Sequence, residues 1–147
     1  MIEHELLQAP YAEPLIDELH ALCAAELGPV DRAELSWRLH AMPRSTVFVA
    51  RAQELVGFKI GYAVASARYY SWLGAVHRGW RRQRIALSLL ERQHCWLREQ
   101  GFSAVETVTV SGNVAMLGLN LRAGFLIIGN HHRNGDLRVL LAKKLSG

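Results

Sequence analysis

The chain has 147 residues, half of them hydrophobic and a fifth charged, with a net charge of +4 when its histidines are neutral. That is ordinary globular composition and room for one domain, residues 1–147, with an adequate core. No apolar run is long enough to span a bilayer, and the N-terminus lacks the basic-then-apolar pattern of a secretory signal. The two cysteines, Cys23 and Cys95, stand far apart, so free thiols in a reducing cytoplasm are expected. The positive charge favours anionic partners without choosing among a phosphate-bearing cofactor, nucleic acid and plain solubility.

Met1 to Gln8 reads as a short first strand or an extended arm, ended by Pro10. Tyr11 to Leu27 carries Leu15, Leu19, Leu22 and Cys23 at helical spacing, and Gly28-Pro29 stops it. Asp31 is a good N-cap for a second helix, with Glu34 placed for a capping box. Leu35, Leu39 and Met42 form its apolar stripe, Trp37 is expected in its core contact, and Pro43 ends it.

Thr46 to Ala50 is β-rich, and Gln53-Glu54 suits a hairpin turn. Leu55 to Val64 alternates, which puts Val56, Phe58, Ile60, Tyr62 and Val64 on one face. Leu55, Gly57, Lys59, Gly61 and Ala63 fall on the other, where small residues let another element approach. Ser66 to Tyr70 reads as a loop leading into a strand from Ser71 to Val76.

Val76 to Leu90 is the most informative stretch. It reads as a strand end, a basic turn Arg81-Arg82-Gln83-Arg84, and a helix with Ile85, Ala86, Leu89, Leu90, Trp96 and Leu97 broadly on one side. A helix N-terminus offers unpaired N–H groups and partial positive charge, so this turn suits phosphates. Cys95 on this helix is expected to be an inert core thiol. After Gly101 come a strand from Ala104 to Val110, a helix from Asn113 to Arg122 stopped by Gly124, and strands Phe125 to Asn130 and Leu137 to Leu145, joined by a loop with Asn134-Gly135.

Arg81-x-x-Arg84-x-Ala86 resembles motif A of the GNAT superfamily of acyl-CoA N-acetyltransferases, Gln/Arg-x-x-Gly-x-Gly/Ala, whose backbone amides hold the pyrophosphate of coenzyme A. Arg84 stands where that motif has its middle glycine, which exchanges conformational freedom for a charge that phosphate welcomes. Asn113 to Phe125 is similar to the family's second signature, Asn-x-x-Ala-x-x-Leu-Tyr-x-x-x-Gly-Phe. Asn113 and Gly124-Phe125 match it, and Asn120 occupies the tyrosine position. The resemblance covers roughly residues 46–145. It implies an α/β fold with a mixed, mostly antiparallel central sheet flanked by helices and splayed between the motif A strand and the next one. Acetyl-CoA is the implied co-substrate, with no metal, held by Ala75, Val76, Arg81, Arg82, Gln83, Arg84, Ile85, Ala86, Asn113, Met116 and Asn120.

The resemblance also implies an amine acceptor, on a small molecule or a protein, taken up near the helical pair and Tyr69-Tyr70. The family often uses a glutamate on the strand before motif A as base, and Ser71 to Val76 holds none. His77, Glu106, Tyr69 or Tyr70, and an ordered water are the alternatives. The family's tyrosine protonates the departing thiolate, and an asparagine cannot supply a proton; solvent, Asn120 or Tyr70 would serve instead. Arg84 and Asn120 also motivate a second reading, an acyl-CoA-binding regulatory module without turnover. A nucleic-acid binder is disfavoured, because no RNP-like aromatic strand or zinc spacing is present. His131-His132 has no metal-ligand spacing around it. A homodimer through an edge strand is compatible with such folds.

Overall fold

The computed structural model describes residues 1–146. The chain runs β1 (Glu3–Gln8), α1 (Glu13–Glu26), α2 (Arg32–Ala41), β2 (Thr46–Ala52), β3 (Glu54–Ala63), β4 (Arg68–Val76), α3 (Ile85–Glu99), β5 (Ala104–Val110), α4 (Val114–Arg122), β6 (Leu126–Arg133) and β7 (Asp136–Lys144), with one 3-10 turn at Arg78–Trp80. The strands form one seven-stranded sheet in the order β1-β2-β3-β4-β5-β7-β6. Every strand pair is antiparallel except β4–β5.

Local sequence explains most helix bounds. Pro14 fits the first turn of α1, where its missing N–H costs nothing, so the helix starts two residues after Tyr11. The Asp31 side chain accepts from the Glu34 N–H at 3.2 Å and opens α2, while the Glu34 carboxylate turns to Arg38 instead of closing a capping box. Leu15, Ile16, Leu19, Leu35 and Leu39 bury against Val47, Val49, Phe58 and Ile60 on one sheet face. On the other face α3 lays Ile85 and Leu89 on Phe48, Ala50 and Val56, and packs Leu90 and Leu97 with Tyr69, Val105 and Leu141.

Several expectations need correction. The alternation in β3 breaks: Ala50 pairs with Gly57 but Arg51 pairs with Leu55, so Val56 is an extra, bulged residue. It therefore faces α3, opposite to Phe58 and Ile60. Val64 lies beyond the strand and is exposed. β4 starts at Arg68, not Ser71, because Tyr69 and Tyr70 pair with Ala63 and Tyr62. Trp37 is 59% exposed on the outer face of α2, and Cys95 is exposed on α3 with its thiol near Glu99. Met42 is only half-buried.

Candidate active site

A second bulge builds the site. Ile60 pairs with Leu73 but Gly61 pairs with Ser71, so Trp72 is the extra residue in β4. A bulge bends its strand and increases its twist. At the same level β4 leaves β5. Their parallel rungs run from Arg68–Ala104 to Ser71–Thr107, and among the described residues none follows. The last tie is the Thr107 hydroxyl, which donates to the Ser71 carbonyl at 2.9 Å. Beyond it, Trp72 to Val76 presents backbone edge to Val108, Thr109 and Val110 across an open cleft. Unpaired strand edge of this kind accepts an extended, amide-bearing ligand as an added strand.

The cleft runs toward the basic turn. His77 ends β4 with its N–H donating to the Val56 carbonyl at 2.8 Å, and its Nδ1 accepts from the Gly79 N–H at 3.0 Å. Arg82 and Arg84 both adopt left-handed backbone, with φ of 65° and 61°. The first helical bond of α3 runs from the Ser88 N–H to the Arg84 carbonyl at 3.0 Å, so the amides of the first turn are free for a ligand. Glu26 at the end of α1 braces the turn. Its carboxylate accepts from the Arg78 amide at 3.1 Å and from the Arg81 guanidinium at 2.7 Å. Desolvation raises the Glu26 pKa, but the Arg78 amide and guanidinium and the Arg81 charge outweigh it and leave it lowered.

A groove of about 660 Å³ continues between α3 and α4, lined by Arg84, Arg98, Arg122 and Lys143 with Glu91 as its one acid. On α4, Asn113 caps the helix by accepting from the Met116 N–H at 3.2 Å. Asn120 is the one buried residue of that helix and donates to the Thr109 hydroxyl at 3.3 Å.

Of the expected cofactor residues, Ala75 and Val76 lie on the open edge, Arg81 to Ala86 at the start of α3, where Arg84 lines the groove, and Asn113, Met116 and Asn120 at and along α4. The expected catalytic residues do not converge. Glu106 sits beside Tyr70, its direct partner across β4–β5, and holds Arg68 at 3.2 Å. Asn120 lies on the opposite sheet face, with Thr109. His77 is seven residues from Tyr70, roughly 20 Å along the strand at about 3.3 Å per residue. Its ring is committed to the turn.

Tyr69 must be removed from the acceptor cleft. It is fully buried on the α3 face, and its hydroxyl is bonded to Thr46. Tyr70 points the other way and joins Tyr62 and Trp72 in an aromatic cluster. Arg38 stacks over Trp72 with its guanidinium carbon 4.4 Å from the ring centroid and donates to the Tyr62 hydroxyl at 2.9 Å. Burial raises the Tyr70 pKa and the Tyr62 phenol adds to it, against opposing Arg38 and Arg138 charges. Arg138, whose Nε is buried without a partner, was not anticipated. Nor were Glu26, Thr109, Gly74 and Lys59.

The Acetyltransferase (GNAT) family model matches residues 11–125. The chain belongs to the GNAT acetyltransferase family. Its family is one of acetyltransferases, which makes the chain an acyl-group transferase. Similar solved structures cover it end to end. The ribosomal-protein-S18-alanine N-acetyltransferase from Escherichia coli superposes with a TM-score of 0.88 at 15% identity, covering 100% of this chain and 96% of that one. Ard1 from Thermoplasma volcanium gives 0.82 at 17% identity, with 98% and 99% covered. A GNAT family acetyltransferase from Elizabethkingia anophelis with acetyl-CoA bound gives 0.74 at 16% identity, with 97% of each chain covered. No curated protein matches the chain by sequence. Among the described residues no group of three metal-ligating side chains occurs and no helix is long and apolar enough to cross a membrane.

Proposed function

We propose that the protein moves an acetyl group from acetyl-CoA to a primary amine of a small molecule or protein by direct attack in a ternary complex. The observation that carries this is the open edge of β4 beyond the Ser71–Thr107 rung. The pantetheine arm pairs with Trp72 to Val76, the free amides of the first α3 turn take the pyrophosphate, and the groove lined by Arg84, Arg98 and Arg122 gives the phosphates a cationic surround. The amine enters from the opposite face, past Tyr70 and Trp72. Direct transfer needs no acyl-enzyme, and the cysteines support that: Cys23 is buried with its thiol pushed up to about 12 by desolvation, and Cys95 lies on exposed helix surface.

Glu106 is the proposed base, directly or through a water. It shares the acceptor face with Tyr70 and sits at the point where the strands part. The chemistry then asks the β4 amides to polarise the thioester carbonyl as it becomes an oxyanion. A cytoplasmic setting belongs to the same proposal and is supported by the two free thiols. If the protein forms a homodimer, β6 is the edge we assign to it, because Leu126, Ile127 and Ile128 are exposed there.

The test is release of free CoA thiol from acetyl-CoA with a panel of amines and peptide N-termini. Turnover with any of them, reduced at least roughly tenfold in Glu106→Gln, is the expected result. Acetyl-CoA binding without turnover across the panel would favour a regulatory module.

A further inference from the structure

The sheet face under α3 carries one charged side chain that the site described so far does not use. Lys59 lies in β3 between Gly57 and Gly61, and its cross-strand partner in β4 is Gly74. Gly74 belongs to the open edge. A Cβ there would stand 3.6 Å from the Lys59 Cγ and 3.7 Å from its Nζ. The lysine thus lies across the bare glycine backbone toward the cleft. It is deep beneath α3, yet it keeps some accessible surface.

The surroundings of Lys59 are cationic or neutral. His94 faces it from α3, buried, with its Nδ1 3.1 Å from Lys143 Nζ and its Nε2 without a partner. Arg98 on α3 adds a further positive charge near His94, and Glu91 acts on Lys143. Among the described residues no carboxylate is paired with Lys59: burial is the one influence on its ionisation, and it lowers the pKa to about 8. A deep ammonium with no counter-ion is costly, so negative charge arriving in the cleft would find a partner there.

We propose that Lys59 is the proton donor to the departing thiolate, the task that Asn120 cannot perform. The proposal rests on the acetyl-CoA reading above. The amine nitrogen bonds to the thioester carbon, the C–S bond breaks with its electron pair on sulfur, and a proton passes from Lys59 Nζ to that sulfur. The neutral lysine recovers a proton from water in the cleft. The surplus proton of the amine leaves through Glu106 or water. The other cations near Lys59 are poorer donors. Arg98 does not give up a proton at accessible pH. Burial, with the Lys143, Lys59 and Arg98 charges, brings the His94 pKa down to about 3, so its ring is neutral. Lys143 is engaged with that ring. A lysine near 8 is also well matched to a thiol, which ionises near 8.5 when unperturbed.

The experiment titrates the thiol of bound CoA by thiolate ultraviolet absorbance and needs no acceptor. An adjacent ammonium favours the thiolate. CoA on the wild-type protein should therefore ionise about one pH unit below CoA on Lys59→Gln. Lys59→Arg keeps the charge and should keep the lowered value. With any amine that turns over, both variants should lose roughly tenfold to a hundredfold in kcat, with the KM for acetyl-CoA nearly unchanged. The wild-type rate should fall above about pH 8, an alkaline limb that both variants lack. Calorimetric CoA binding by each variant shows that it is folded. Equal thiol titrations in wild type and Lys59→Gln, both binding CoA, would overturn the role of Lys59 alone. Failure of the wild-type protein itself to bind CoA would overturn the acetyl-CoA reading with it.

Discussion

The Arg81 guanidinium lies 2.7 Å from the Glu26 carboxylate, so the last turn of α1 grips the first residue of the basic turn before α3. The same carboxylate holds the Arg78 amide and side chain. Glu26 thereby fixes a loop that contains two left-handed arginines. Glu26→Ala should release the turn and weaken acetyl-CoA binding by about twofold to fivefold, the ordinary worth of ion pairs whose arginine halves are exposed. Calorimetry at fixed salt checks this. Undiminished affinity would mean that the turn holds its shape alone.

Arg84 sits at φ 61° and ψ 22°, a conformation glycine adopts freely and other residues reach at a cost of about 1 kcal/mol. The GNAT motif that this turn resembles has glycine at this place, and here an arginine carries the strain. Arg84→Gly should raise stability by roughly 0.5–1 kcal/mol and hold or improve acetyl-CoA affinity, because the amides remain. Thermal unfolding and calorimetry read the two effects separately. A loss of affinity beyond tenfold would show that the guanidinium, not the backbone, binds the phosphates.

Local periodicity carries most of the fold. The apolar spacing of α1, the Asp31 cap and the change of pattern at Ile85 are short-range signals, and each element lies within a few residues of its expected place. The two bulges are not short-range signals. One extra residue at Val56 or Trp72 changes which face a side chain takes without changing composition, and it shows only as a shift in pairing. The Trp72 bulge lies where β4 parts from β5, so the feature that makes the site was the least visible. Lys59 was unreadable for a related reason. A charge on an alternating strand reads as solvent-facing, but β3 is central in the sheet and α3 covers that face. Tyr69 and Tyr70, adjacent in sequence, separate to opposite faces once they are in a strand.

Asn120 is buried and donates to Thr109 across the α4–β5 contact. Its removal leaves the Thr109 hydroxyl without that donor and opens a small void. Asn120→Ala should destabilise the fold by about 1–2 kcal/mol, measured by denaturant unfolding. An unchanged midpoint would show that α4 is held without this bond.

Lys59 also makes a statement about stability. Its pKa is lowered from 10.5 to about 8 by burial. Between those values the unfolded chain binds the proton and the folded chain does not, so folding stability rises with pH across that window. Below pH 8 both states are charged, and the full penalty of burying the ammonium is present. Lys59→Met removes that penalty with a side chain of similar length. It should therefore stabilise the free protein by roughly 1–3 kcal/mol at pH 7, with the advantage shrinking as pH rises from 8 toward 10.5. Urea unfolding of the two proteins at pH 7 and pH 10 checks both sign and window. An advantage that is equal at the two pH values would mean that better packing, not the relief of a buried charge, is responsible.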